Sequence, residues 1–259
     1  MSTMLFDHIV YGPVHSRRLG VSLGVNLLPA DGKRCTFNCI YCECGFNQER
    51  KTHQSFPARE AVQKALVDKL ALLNEKGISP DRITFSGNGE PTMHPQFAEI
   101  IDDTLEIRDT LCPSAKVAVL SSSTMLHKTD VLKALCKIDE NLMKLDSATE
   151  RLFKLIDQPV IHYLTADKVI KQLCRFDGKL TIQTIFLRGE YQGEWIDNTQ
   201  EREVDLWIEA LKKIKPRAVM IYTINRETPV TTIQKIPVES LEAIAAKVRA
   251  AGFQVQVAG

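Results

Sequence analysis

The sequence predicts an α/β protein built on a parallel sheet, and three observations carry that expectation. Short β-branched runs alternate with helical patterns about six times, the helical stretches have start and stop signals, and 259 residues are enough for one large α/β domain. Strand, helix and strand in repetition place the strands parallel with helices outside. The result is an open doubly wound sheet or a full or partial barrel, and in each the chemistry belongs at the carboxyl ends of the strands.

The strands expected in chain order are Val21 to Asn26, Arg82 to Ser86, Lys116 to Ser121, Leu142 to Asp146, Thr181 to Phe186, Ala218 to Thr223 and Phe253 to Val257. Each is short, rich in Val, Ile, Thr or Phe, and bounded by turn residues. The first helix is read from Val62, Leu66, Leu70 and Leu73, with Ser55 and Pro57 ahead and Gly77 behind. A second stripe, Val204, Trp207, Leu211 and Ile214, follows Thr199 and stops before Pro216. Leu241, Ile244 and Val248 mark a last helix, closed by Gly252. Stripes of this kind are core packing. With no internal repeat, low-complexity tract or interdomain linker, residues 1–259 read as a single domain.

Composition bounds the function. Hydrophobic residues make up 44% and charged residues 25% of the chain, enough apolar material for a core. A formal net charge of +1 exerts no global pull toward nucleic acid or membrane. The N-terminal MSTMLFDHIVYG has no basic start followed by a long apolar run, and no stretch has the ~18 apolar residues of a spanning helix. A cytoplasmic location is therefore expected, where a reducing environment turns clustered cysteines toward metal binding or redox work.

Four of the seven cysteines, Cys35, Cys39, Cys42 and Cys44, crowd into RCTFNCIYCEC on the loop after the first predicted strand. Three chemistries compete for them. Structural zinc takes two separated ligand pairs, and no second pair or His pair follows here. A catalytic thiol pair needs only C-x-x-C, which leaves Cys35 unexplained. An iron-sulfur cluster accommodates three closely spaced thiolates and, with only three, leaves one iron open.

The C-x3-C-x2-C segment CTFNCIYC, with Tyr41 before the third cysteine, resembles the signature of radical S-adenosylmethionine (SAM) enzymes. FSGNGEPTMHP is like the family's Gly-Gly-Glu region, with Gly87, Gly89 and Glu90 in place and Asn88 intervening. MKLDS is like the segment that contacts the SAM ribose. With GPVHSRRLGVSLGVNLLP and the Asp197-Asn198-Thr199 triplet, nearly the whole chain resembles the branch labelled Fe-S oxidoreductases or wyosine-synthase-like proteins.

That resemblance implies a partial (β/α)6 TIM-like barrel of parallel strands with the cluster loop at about residues 33–46. It implies Cys35, Cys39 and Cys42 as ligands of one 4Fe-4S cluster, with SAM bound through Tyr41, Gly87, Gly89, Glu90, Ser122, Lys144 and Asp146. Glu90 would accept from the SAM ammonium. Lys144 and Asp146 share one face of a strand, where they contact ligand or form an internal salt bridge. Ser121, Ser122 and Ser123 end the third predicted strand in the same layer. Cys44 is a substrate-facing thiol or a loop residue, and His15 and His94 are proton carriers or structural histidines. Arg17, Arg18, Lys33 and Arg34 are solvated charges or an anion grip. Arg188, Asp197, Asn198 and Arg226 follow later strands, where a substrate should lie.

The expected function is reductive SAM cleavage to a 5'-deoxyadenosyl radical acting on a small molecule or peptide, fed by a reductase such as flavodoxin or ferredoxin. A tRNA base modification is the alternative substrate, and an iron-sulfur electron carrier or sensor the non-enzymatic one. A carrier ligates its cluster with four protein residues and has no use for Gly89-Glu90.

Overall fold

In the computed structural model, residues 4–16, 20–47, 49 and 52–259 are described; Arg17 and Arg18 fall outside them. The elements in order are β1 (Val10–Ser16), β2 (Gly20–Val25), α1 (Arg59–Glu75), β3 (Arg82–Phe85), α2 (Phe97–Leu111), β4 (Lys116–Ser121), α3 (Thr129–Leu135) and β5 (Glu140–Lys144). The second half holds α4 (Glu150–Leu152), which continues as a π turn over Phe153–Asp157, then α5 (Ala166–Leu173), β6 (Thr181–Tyr191), β7 (Glu194–Asp197) and α6 (Glu201–Ile214). It closes with β8 (Ala218–Thr223), β9 (Ile233–Lys235), α7 (Val238–Ala250) and β10 (Val255–Ala258).

The sheet runs β1-β2-β3-β4-β5-β6-β8-β10, and every pairing from β2 to β10 along this path is parallel. Six strand-helix units thus curl into the expected half-barrel, with β10 added as a seventh parallel strand. Strand β1 pairs antiparallel with β2, while β7 and β9 flank the long extension of β6. None of these three was expected from the sequence. In β1 the Gly12-Pro13 pair and a register shift between Tyr11 and Val14 break the alternation that marks a strand. β7 and β9 are four and three residues long.

Alternation along each strand separates two faces. Leu23, Val25, Ile83, Phe85, Val117, Val119, Ile182 and Ile221 are buried in the main core with Val62, Leu66, Leu70 and Leu73 of α1 and Trp207 and Leu211 of α6. The other face carries Ser22, Gly24, Thr84, Ser86, Leu120, Ile185 and Tyr222, which line a cavity. Below it Ala118, Leu142 and Met220 form a small apolar plug. One strand pattern therefore supplies both the core and the lumen.

Candidate active site

The cysteine loop follows β2 and is held on two sides by backbone. On one side Arg34 N donates to Asn88 O at 2.8 Å and Glu90 N to Arg34 O at 3.1 Å, a parallel bridge between Arg34 and Gly89. This approach needs glycine, because a Cβ on Gly89 would stand 1.9 Å from Arg34 O. On the other side the π turn receives Asn38 N on Asp157 O and Ile40 N on Ile156 O, both at 3.0 Å, while Val160 N donates to Thr36 O. Such π turns recur at functional sites. Asn47 folds the loop onto itself, accepting from Cys35 N at 3.0 Å and donating to Cys35 O at 3.0 Å and Phe37 O at 3.3 Å.

All four cysteines of the loop are free thiols. Burial pushes Cys35 up to about 11 and raises Cys39 as well. Cys42 is lowered to about 5, first because it accepts from the Cys44 thiol and further because Lys33 faces it. Cys44 rises in turn, since its proton is held by Cys42. It also approaches Gly87 O at 3.4 Å. Lys33 is 4% exposed, and its ammonium donates to Gly45 O at 2.8 Å. Burial opposes that charge, yet the sulfurs of Cys42, Cys35 and Cys39 outweigh it and hold Lys33 above its ordinary value. Among the described residues no three His, Cys, Asp or Glu side chains converge on a single metal ion. A 4Fe-4S cluster takes each thiolate on a different iron and needs them apart.

Glu90 is buried beside this loop at the end of β3. Its Oε1 accepts from Thr92 N at 3.0 Å, from the Thr92 hydroxyl, and from Ser121 Oγ at 2.9 Å; Oε2 accepts from Ser122 N at 2.5 Å. A carboxylate has about four acceptor sites, so Oε1 is filled and Oε2 keeps room for one more donor. The Ser122 hydroxyl meets Thr36 Oγ1 at 3.0 Å, which ties β4 to the cysteine loop. Ser123 turns with φ +67° and reaches Lys144 O. Asn88, the departure from Gly-Gly-Glu, is fully buried and donates to Phe6 O at 2.8 Å and Pro29 O at 2.9 Å.

Lys144 and Asp146 do share a face, and they form the internal salt bridge, 2.6 Å long. The Lys144 ammonium also pairs with Asp157 of the π turn and lies 5.0 Å and 5.2 Å from the ring centroids of Phe37 and Tyr41. Burial opposes its charge, but Asp146 and Asp157 hold it well above its ordinary value. Tyr41 donates to Asp146 at 2.5 Å, and Ile185 N donates to the other carboxylate oxygen at 3.1 Å. Burial pushes Asp157 up to about 8.

The cavity is about 400 Å³ and opens beside Cys42 and Cys44. Tyr11 projects into it from β1, hydrogen-bonded to Ser86 at 2.7 Å and stacked on Phe6 at 3.8 Å between centroids. Its ring occupies the space that a side chain at position 24 would need, since a Cβ on Gly24 would fall 2.1 Å from it. Arg226 and Glu43 pair at 2.6 Å, and both line the cavity.

A family model described as the Radical SAM superfamily matches residues 31–201, which span the cysteine loop, the Glu90 turn and the Lys144 group. The chain belongs to the radical SAM superfamily. Its relatives include a protein named GTPase Obg from Brachyspira hyodysenteriae, 34% identical over 85% of this chain and 30% of that protein. A UPF0026 protein of Helicobacter pylori is 30% identical over 84% of this chain and 67% of its own length. This chain thus spans under a third of the first of these relatives. Among solved structures, a radical SAM methyltransferase from Sphaerobacter thermophilus superposes with a TM-score of 0.67 at 15% identity, covering 92% of this chain and 65% of that one. TYW1 with a lysine-pyruvate adduct bound gives 0.61 at 15%, covering 88% and 73%. At such identities the likeness is one of fold.

Within this radical SAM fold the remaining sequence candidates separate. Cys44, His15 and Arg226 line the cavity. His94 does not: its Nε2 bonds Pro57 O at 2.8 Å, Nδ1 accepts from Gln96 N, and burial lowers it, so it is a structural histidine. Asn198 is buried and donates to Asp146 O and Ile185 O, while Asp197 accepts from Thr199 N ahead of α6. Arg188 is exposed on β6, and the Arg34 guanidinium lies 4.8 Å from the ring centroid of Phe56. Sequence reasoning missed Asp157, Asn47 and Tyr11. Only Tyr11 had a legible signal, a strand aromatic two residues after Ile9 that β1 would have pointed inward.

Proposed function

We propose that residues 1–259 form one radical SAM domain that holds a single 4Fe-4S cluster on Cys35, Cys39 and Cys42 and acts on a small molecule or peptide. When bound, the cluster and SAM supply reductive cleavage to methionine and a 5'-deoxyadenosyl radical, which abstracts hydrogen from substrate. The observation that carries this reading is the convergence of the three-cysteine loop on the Gly89-Glu90 turn through the Arg34 bridge. Buried Lys33, facing the three sulfurs with no carboxylate at ion-pair distance among the described residues, fits an anionic group at that place.

In this reading the chain binds, orients and excludes. Oε2 of Glu90 takes the SAM ammonium, Gly87 and Gly89 admit the ligand against the backbone, and Ser122 holds the carboxylate in place. Tyr41, Lys144 and Asp146 line the ribose side, where the ion pair keeps Asp146 oriented. The cavity lining of hydroxyls and apolar side chains receives the substrate, and its volume suits a small molecule or a single peptide side chain. The tRNA alternative rests on the sequence's resemblance to the wyosine-synthase-like branch, and the net charge of +1 gives it no global pull toward RNA. A low-potential one-electron donor such as flavodoxin or ferredoxin completes the system, and no helix among the described residues is long and apolar enough to cross a membrane.

The test is anaerobic reconstitution, dithionite reduction and quantification of 5'-deoxyadenosine after SAM is added. The wild type should bind about four irons per chain and release product, and Cys39→Ala should lose both. Iron content and product unchanged in Cys39→Ala would overturn the assignment. A full cluster that SAM neither perturbs nor is cleaved by would move the protein to the electron carriers.

A further inference from the structure

Lys33 stands two residues before Cys35, and its ammonium reaches across the loop to Gly45 O, one residue past Cys44. Its stem and tip therefore bracket all four cysteines. The Gly45 turn that receives it is tied back to Cys42, because Gly45 N donates to Cys42 O at 2.9 Å. Among the described residues no carboxylate lies within ion-pair distance of Lys33, unlike buried Lys144, which has two. A buried cation with only a carbonyl and sulfur for company is costly unless an anion faces it.

We propose that Lys33 is a positioning residue for the reduction step: its buried ammonium is a fixed counter-charge that favours adding an electron to the cluster held by Cys35, Cys39 and Cys42. This rests on the cluster reading above. Reduction adds a negative charge to a group that is already anionic, so a nearby cation stabilises the reduced form more than the oxidised form. Net charge is among the quantities that set such potentials, and Lys33 supplies a positive one.

The experiment uses the reconstituted holoprotein in four forms, wild type, Lys33→Met, Lys33→Gln and Lys33→Arg. Each is assayed for iron and sulfide and titrated by EPR against a series of mediators. Lys33→Met should shift the reduction equilibrium at least tenfold toward the oxidised form, 59 mV for a one-electron couple. Lys33→Arg, which keeps the charge, should stay within threefold of wild type. Lys33→Gln removes the charge yet can still donate to Gly45, so it stands in wherever the methionine variant fails to fold. A neutral variant that folds but takes up no iron, beside an arginine variant that does, also supports the counter-charge.

Neutral variants that titrate within twofold of wild type would overturn the proposal. So would equal shifts, or equal loss of iron, in the neutral and arginine variants, because shape and not charge would then be responsible. A wild type without any cluster would defeat the underlying reading instead.

Discussion

Gly89→Ala probes the contact on which the site depends. The added methyl would lie 1.9 Å from Arg34 O and 2.5 Å from Arg34 C, and both are backbone atoms that no rotamer change can move. The cysteine loop must then retreat by more than an ångström, which breaks the bonds of Arg34 N to Asn88 O and Glu90 N to Arg34 O. Two bonds at about 1 kcal/mol each, together with about 2 kcal/mol for alanine at φ +140°, come to roughly 4 kcal/mol. For a chain of this size that lowers Tm by about 10 °C. Gly77→Ala is the control, because its φ is also positive at +67° but nothing lies within 4 Å of the new methyl. It should cost only about 1 kcal/mol, roughly 3 °C. The assay is thermal melting of the metal-free chain, followed by iron stoichiometry after reconstitution. A Gly89→Ala protein that melts with the Gly77→Ala control and takes up full iron would refute the reasoning.

Two further outcomes follow from the same geometry. Cys44→Ala should keep full iron, because Cys44 approaches Gly87 O and faces the cavity; iron falling to the level of Cys39→Ala would make it a ligand. Asp157 is raised by burial from 3.8 to about 8, so the folded chain holds its proton more firmly than the unfolded chain does. That stabilisation is complete below about pH 4, is lost as pH rises through about 8, and is flat beyond. Asp157→Asn carries no such proton, so the Tm of the metal-free variant should gain on wild type between pH 5 and pH 8 by melting in matched buffers. A difference that stays constant over that interval would contradict the upward shift of the buried Asp157 carboxyl.

The sequence made the repeating frame legible because periodicity is a local property. Strand alternation and the helix stripes at Val62 to Leu73 and Val204 to Ile214 need only neighbouring residues, and the structure buries every one of those stripe positions. The shared face of Lys144 and Asp146 was legible for the same reason. What occupies that face was not, because Asp157 arrives through a π turn that no periodic pattern announces. Asn88 shows the limit differently. Read as a blemish in a glycine motif, it instead fastens the chain before β1 and the loop after β2 to the Glu90 turn, contacts that span 82 and 59 residues. Fixing a turn by long-range side-chain bonds leaves no trace in local spacing.

Cysteine loop and cavity are not separable parts of this protein, because they share a wall. Glu43 and Cys44 follow Cys42 directly, and both line the cavity. Glu43 O accepts from Met4 N at 3.0 Å, and its carboxylate pairs with Arg226, so the cysteine loop, the chain ahead of β1 and the segment after β8 meet at one residue. Tyr11 and Phe6 stack on the same side. The two charges that line the cavity on this side already satisfy each other. The same cavity is lined by the hydroxyls of Ser22, Ser86 and Tyr11, of which Tyr11 and Ser86 bond each other and Ser22 bonds Thr84. Since removing Glu43 would leave Arg226 without this partner, the charge of this wall is set by the loop that carries the cysteines. The charge of that wall and the position of the cysteines are in this way coupled through two adjoining residues of one turn.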